Sequence, residues 1–242
     1  MINKNLFQST FKTLILLMLF IVVGLFFDSA YFIEINQNGQ VYANCILIIV
    51  FFWMFYRATN RFKELMIYAV AIGIAGECLF SLGFDMYEYR LNNVPFYIPP
   101  GHAILYIVTA YFCREKYVKI YRNQLELGFG IFIFLYSLCY LIFAADIFGF
   151  GLTLLTLWLL KSRPKERLFF YTMYLVVAFL EIIGTSYHCW KWPDTAFGIF
   201  DILKSANPPS GISFFYFGLD LGCLWLYKQR HLIAWKRMRR IV

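Results

Sequence analysis

The chain has 242 residues, of which 61% are hydrophobic and only 15% charged. Soluble domains average about 45–50% apolar and about 25% charged, and a water-soluble fold of this length has no interior for 28 Phe and 18 Tyr besides its aliphatic residues. The formal net charge of +8 sits in short basic clusters between apolar runs. That placement suits cytoplasmic loops and speaks against a nucleic-acid partner.

A membrane-spanning helix needs about 20 mostly apolar residues. Eight runs are read as spans: 13–34, 41–56, 65–84, 101–113, 127–145, 148–160, 168–187 and 211–227. The first could pass for a signal peptide, but it is long and lacks a small-x-small cleavage site, so it is kept as a helix. The fourth and sixth are short, and either extend into their flanks or re-enter the membrane. With a cytoplasmic N-terminus and strict alternation, 19 of the 22 Lys and Arg fall inside, and only Arg90, Lys191 and Lys204 fall outside. The expectation is an all-α integral membrane protein with about eight transmembrane helices and both termini cytoplasmic. Its place is the cell membrane, the inner one if the source is a Gram-negative bacterium. The stretch from Lys228 to Arg240, with Trp235 inside it, is expected against anionic headgroups. The six Cys (45, 78, 113, 139, 189, 223) form no CxxC and read as small buried hydrophobes. Cys189 lies in an outer loop, with no evident loop partner.

The sequence reads as two copies of one pattern. Trp53 is followed by Arg57, Arg61 and Lys63, then an apolar run to Glu77, then Tyr87-x-Tyr89 and Pro99-Pro100. Trp158 is followed by Lys161, Arg163, Lys165 and Arg167, then an apolar run to Glu181, then Trp190-x-Trp192 and Pro208-Pro209. The spacing from Trp to Glu is 24 against 23 residues, and from Glu to the aromatic pair 10 against 9. Two four-helix repeats follow, 1–124 and 125–242. Each crosses an even number of times, so they are parallel, and such repeats often place a site at their seam.

A carboxylate inside a span is costly and is a functional hypothesis by default. Glu77, Glu181 and Asp220 qualify. The first two are repeat equivalents, while aligning the Pro-Pro pairs puts Tyr111 opposite Asp220, so the symmetry is broken there. Burial in an apolar medium favours a neutral carboxyl, and a protonated acid can donate to an apolar substrate. With His102, at the start of the fourth helix, these are the candidate catalytic groups. Each also has a structural alternative, a hydrogen bond that ties a loop or the two halves together.

Asp85, Tyr87, Tyr89, Trp190, Trp192 and Asn207 are the candidate substrate-binding residues, in outer loops stiffened by proline. Trp and Tyr also belong at membrane interfaces, so an aromatic belt is the plainer account of those pairs. Arg90 is expected to pair with Asp85, and Asn207 and Ser210 to satisfy the start of the last helix. The three His lie in separate segments, and no metal-ligand spacing or cofactor motif is present, so neither metal nor cofactor is expected.

The favoured reading is a membrane-embedded enzyme using these carboxyls for acid–base chemistry on a lipophilic partner (an isoprenoid, carotenoid or other lipid) near the outer leaflet. Cyclisation, hydration or isomerisation without a redox cofactor would suit it. The alternatives are a proton- or cation-coupled transporter of a small solute and a non-catalytic subunit of a membrane assembly. In span number and acid placement the layout looks like that of integral-membrane terpene cyclases and carotenoid-modifying enzymes. That likeness involves no alignable motif and transfers no residue roles.

Overall fold

A computed structural model of the chain describes residues 4–233. Each of the eight apolar runs contains a helix. In chain order the helices are α1 (Lys4–Phe27), the short α2 (Ala30–Ile33), α3 (Gly39–Arg57), α4 (Asn60–Glu77), α5 (Ile98–Phe112), the short α6 (Lys116–Ile120), α7 (Arg122–Ala144), α8 (Ile147–Lys161), α9 (Arg167–Ser186) and α10 (Ser213–Arg230). The architecture is all-α, and four helical stretches are long and apolar enough to cross a membrane: Gly39–Arg57, Asn60–Gly83, Arg122–Ala144 and Arg167–Ser186. Two more, Phe11–Phe27 and Ile147–Lys161, are apolar but shorter. Their outward faces carry exposed Leu19, Ile49, Trp53, Phe132, Phe143 and Trp158. An apolar exterior this extensive is what lipid contact requires and what water penalises.

Element boundaries depart from the apolar runs where the backbone has other work. The run 13–34 does not make one helix. It breaks after Phe27, where Asp28 and Ser29 are fully buried and the Ser29 hydroxyl accepts from the Phe32 amide to cap α2. α4 runs on into a wider π-helical turn over Cys78–Gly83. α5 starts at Ile98 with Pro99 and Pro100 in its first turn, where a missing N–H costs nothing. At α10 the expected caps do not form. The helix begins at Ser213 without a side-chain cap: the Asn207 side chain instead accepts from the Trp192 amide, and the Ser210 Oγ makes no hydrogen bond among the described residues.

α5 and α9 are the inner pillars. α5 packs on α4, α1, α3 and α9, while α9 also meets α7 and α10. One end of the helices gathers basic residues. Arg114 lies over the Phe62 ring, Arg122 bonds Glu126 and the Pro164 carbonyl, and His231 meets Glu64 at 2.8 Å. The basic tail beyond residue 233, with Trp235, lies outside the described residues.

The opposite end carries the two long loops. There β1 (Glu88–Tyr89) pairs antiparallel with β2 (Trp190–Lys191), and β3 (Thr195–Ala196) with β4 (Phe200–Lys204). Two buried aspartates fasten this end. Asp28, after α1, accepts from Tyr97, Gln40 and Arg90. Asp146, after α7, accepts from the amides of Gly149, Ala206 and Ser210. Each therefore holds the long loop of its own half of the chain.

Candidate functional site at the seam of the two loops

The two glutamates are used alike. Glu77 ends α4, and its Oε2 accepts from the hydroxyls of Tyr87 and Tyr89, each at 2.9 Å. Glu181 lies one turn from the end of α9, and its Oε2 accepts from the indole N–H of Trp190 at 2.8 Å and of Trp192 at 3.0 Å. In each case the aromatic pair comes from the loop that follows the carboxylate, which is why the Glu-to-aromatic spacing is nearly equal. Desolvation, reinforced by Glu77, pushes the Tyr87 phenol up, and the Tyr89 phenol is raised by desolvation, Tyr87 and Glu77. Both therefore stay protonated and act as donors.

The loops reach these positions by the same route. Asp85 and His188, each two residues before an aromatic pair, adopt left-handed backbone with φ of 47° and 55°. The β1–β2 ribbon then sets Glu88 opposite Lys191 and Tyr89 opposite Trp190. The Tyr87 and Trp192 rings meet at 4.5 Å and the Tyr89 and Trp190 rings at 6.2 Å. Such aromatic cross-strand contacts each add about 0.2–1 kcal/mol to pairing. Gly184 permits this, because a Cβ there would stand 2.1 Å from the Trp190 indole.

Beneath the ribbon is a cavity open on one side, with about 1200 Å³ of space free of protein atoms when the solvent in its mouth is included. Glu77, Tyr87, Tyr89, His102, Glu181, Trp190, Trp192 and Tyr216 line it. His102, on α5, and Asp220, on α10, are 5% and 0% exposed, with Nε2 at 3.4 Å from Oδ1. The approach is not aligned as a hydrogen bond, and none of the four ring and carboxyl heteroatoms makes one with the described residues. Asp220 is not itself in the cavity wall, so His102 stands between it and the open space. Tyr216, one turn before Asp220, places its ring 5.5 Å from the His102 ring and donates to Glu181 Oε1 at 3.2 Å.

Seven of the ten expected site residues therefore line one cavity, and Asp220 touches it through His102. The other two stand apart. Asp85 is exposed in the loop after the π turn. Asn207 borders a shallow outer depression with Arg90, His188 and Lys191 and holds the Trp192 amide. The expected Asp85–Arg90 pair is replaced by Arg90 with Asp28, whose buried carboxylate also draws in Tyr97 and Gln40. Among the described residues no three His, Cys, Asp or Glu side chains stand close enough to hold a metal ion, and all six Cys are free. Tyr216 was open to sequence reasoning, since it shares a helix face with Asp220 at i, i+4. Asp28 was hidden inside an apolar run. Neither a family model, a curated protein nor a solved structure matches this chain.

Proposed function

We propose that the protein is a membrane-embedded enzyme that performs acid–base chemistry on a lipophilic substrate in the cavity beneath the ribbon. One observation carries the reading. Two carboxyls and an imidazole converge on a cavity whose remaining wall is aliphatic and aromatic, and the buried His102 and Asp220, 3.4 Å apart, make no side-chain hydrogen bond among the described residues. Buried polar groups are ordinarily satisfied, and those left open in a cleft mark candidate chemistry.

The two glutamates differ in what they have left to give. Both oxygens of Glu181 accept hydrogen bonds. Both bonds to Glu77 share Oε2, and among the described residues Oε1 accepts none. Glu77 Oε1 is thus the group assigned to deliver a proton to the substrate. A positive charge developing on the substrate would face the π clouds of Tyr87, Trp192 and Phe215. His102, backed by the Asp220 carboxyl, would take up the proton released elsewhere on the substrate and return it to Glu77 after product leaves, so an isomerisation or cyclisation closes with no net change in substrate protons and the enzyme restored. A hydration would consume one water.

The membrane arrangement belongs to the same proposal. It comprises eight spans in two parallel repeats, basic ends and both termini cytoplasmic, and the ribbon outside in the cell membrane. The basic clusters at one helix end and the matched Asp28 and Asp146 anchors at the other support it. A coupled transporter would need polar groups continuing toward the basic end, whereas the inner cavity wall is Leu17, Phe20, Ile21, Leu47, Ile104 and Leu105.

The test is mass-spectrometric comparison of total lipid extracts from the native host with the gene deleted, carrying wild type, Glu77→Gln, Asp220→Asn or empty vector. A lipid formed only with wild type is the expected result. Identical extracts, with all proteins present in the membrane, would overturn the enzyme reading.

A further inference from the structure

The polarity of the cavity is segregated along its length. Its glutamates, histidine, tyrosines and tryptophans all lie at the ribbon end. Going inward from that end, α1 contributes Leu25, Ile21 and Leu17, α3 contributes Ala43 and Leu47, and the wall becomes wholly apolar. From Leu17 to Leu25 is two helical turns, about 12 Å, and the α5 wall from Tyr97 to Leu105 is equally long. The cavity wall therefore runs along the helix axes, polar at the ribbon end and apolar further in.

Leu180 and Leu219, from α9 and α10, complete this apolar wall. Gly24, beside Leu25 near the ribbon end of the α1 wall, also lines the cavity, and a Cβ built there meets nothing within 4 Å.

We propose that the cavity holds a single-chain amphiphile, its polar or unsaturated end among Glu77, His102 and Glu181 and its hydrocarbon tail running inward between α1, α3 and α5. Gly24 keeps the tail's channel open. This deepens the reading above, because it rests on the same cavity being the substrate site.

The test needs no turnover. The full-length protein in detergent is photolabelled with hexadecanol carrying a diazirine either at the far end of the chain or beside the hydroxyl, and the labelled peptides are identified by mass spectrometry. The far-end probe is expected on the α1, α3 and α5 segments around Leu17, Leu47 and Ile104, and the hydroxyl-end probe on residues 86–102 and 190–192. Unlabelled hexadecanol should compete and a diacylglycerol should not. Gly24→Trp should cut far-end labelling of these segments several-fold, while Gly24→Ala, whose methyl enters open space, should leave it near wild type.

Far-end labelling confined to the outer faces of α7 and α8, or labelling equally displaced by diacylglycerol, would overturn the proposal whether or not Gly24→Trp folds. The two readings also fail separately. Cavity labelling with unchanged lipid extracts sinks the enzyme, and changed extracts without cavity labelling sink the single-chain assignment.

Discussion

Glu181 offers the sharpest separation of architecture from chemistry. It is 3% exposed and accepts three hydrogen bonds, from Trp190, Trp192 and Tyr216. Glu181→Leu keeps the bulk and removes the acceptor, leaving three donors buried without a partner. Each such donor costs about 1–3 kcal/mol, so the variant should lose roughly 3–9 kcal/mol, comparable with the whole stability of a typical domain at about 5–15 kcal/mol. Glu181→Gln behaves differently. Both indoles already converge on one oxygen, which the amide carbonyl can replace, and the amide N–H₂ can donate to the Tyr216 oxygen. That variant should stay within about 1 kcal/mol of wild type. The assay is the fraction of detergent-solubilised protein that remains monodisperse by size-exclusion chromatography after heating through a temperature series. If the Leu variant melts with wild type, or the Gln variant falls with Leu, the claim that this carboxylate organises the indole pair is wrong.

The remaining predictions follow from the same geometry. Glu77→Gln should abolish substrate conversion while Glu181→Gln only slows it, since only Glu77 has an unbonded oxygen on the cavity side; equal, mild effects in the lipid extracts would return both residues to a structural role. Arg90→Ala should cost about 3–5 kcal/mol by stranding the buried Asp28 carboxylate, while Asp85→Ala should stay within about 0.5 kcal/mol. The reverse order of thermal stability would restore the Asp85–Arg90 pair. Glu88→Cys combined with Lys191→Cys should form a disulfide on mild oxidation, because directly opposed strand residues lie about 4.5–5.5 Å apart between Cα atoms, inside the usual disulfide range; failure to cross-link would contradict the ribbon. Cys189 is fully buried, with Sγ against the Leu25 carbonyl, and desolvation aided by Asp28 pushes its thiol up. It should resist maleimide in the folded protein and react after denaturation. Because the fold favours the neutral thiol, its contribution to stability is undiminished below the unfolded value of about 8.5 and is progressively lost as pH rises from there toward the raised folded value. A rapid reaction at neutral pH in the folded state would count against this burial.

What could be read in the sequence was periodic or costly. Apolar runs gave helices because length and hydropathy alone determine them, and Glu77, Glu181 and Asp220 stood out because an acid in such a run demands a reason. Asp28 meets the same criterion but lies inside a run that reads as continuous. Only the tertiary contacts from Arg90, Tyr97 and Gln40 explain why the chain stops being helical there. Arg90 was misassigned for a related reason. Asp85 is nearer in sequence, but a left-handed turn carries it away, while the fold brings in a carboxylate 62 residues distant. The His102–Asp220 approach joins α5 to α10 and leaves no trace in local spacing.

The ribbon explains why two similar loops can produce one unsymmetrical site. Glu88 and Lys191 occupy corresponding positions in the two loops and face each other, and the flanking aromatics exchange partners, Tyr87 with Trp192 and Tyr89 with Trp190. A two-fold axis through the centre of the ribbon would require this pattern, in which a central residue meets its own counterpart and its neighbours swap. The axis would bring both glutamates to one place beneath it, each tethered by its own loop. The two clusters are nevertheless unlike: phenols serve Glu77 where indoles serve Glu181, and Tyr216 adds a third donor to Glu181 alone. The second half supplies the fully bonded Glu181 and the Asp220 behind His102, and the first supplies Glu77, whose Oε1 accepts no bond among the described residues. On the proposed reading, an isoleucine at Gly24, where a Cβ meets nothing within 4 Å, should narrow the tail's path while leaving the ribbon and both glutamate clusters in place.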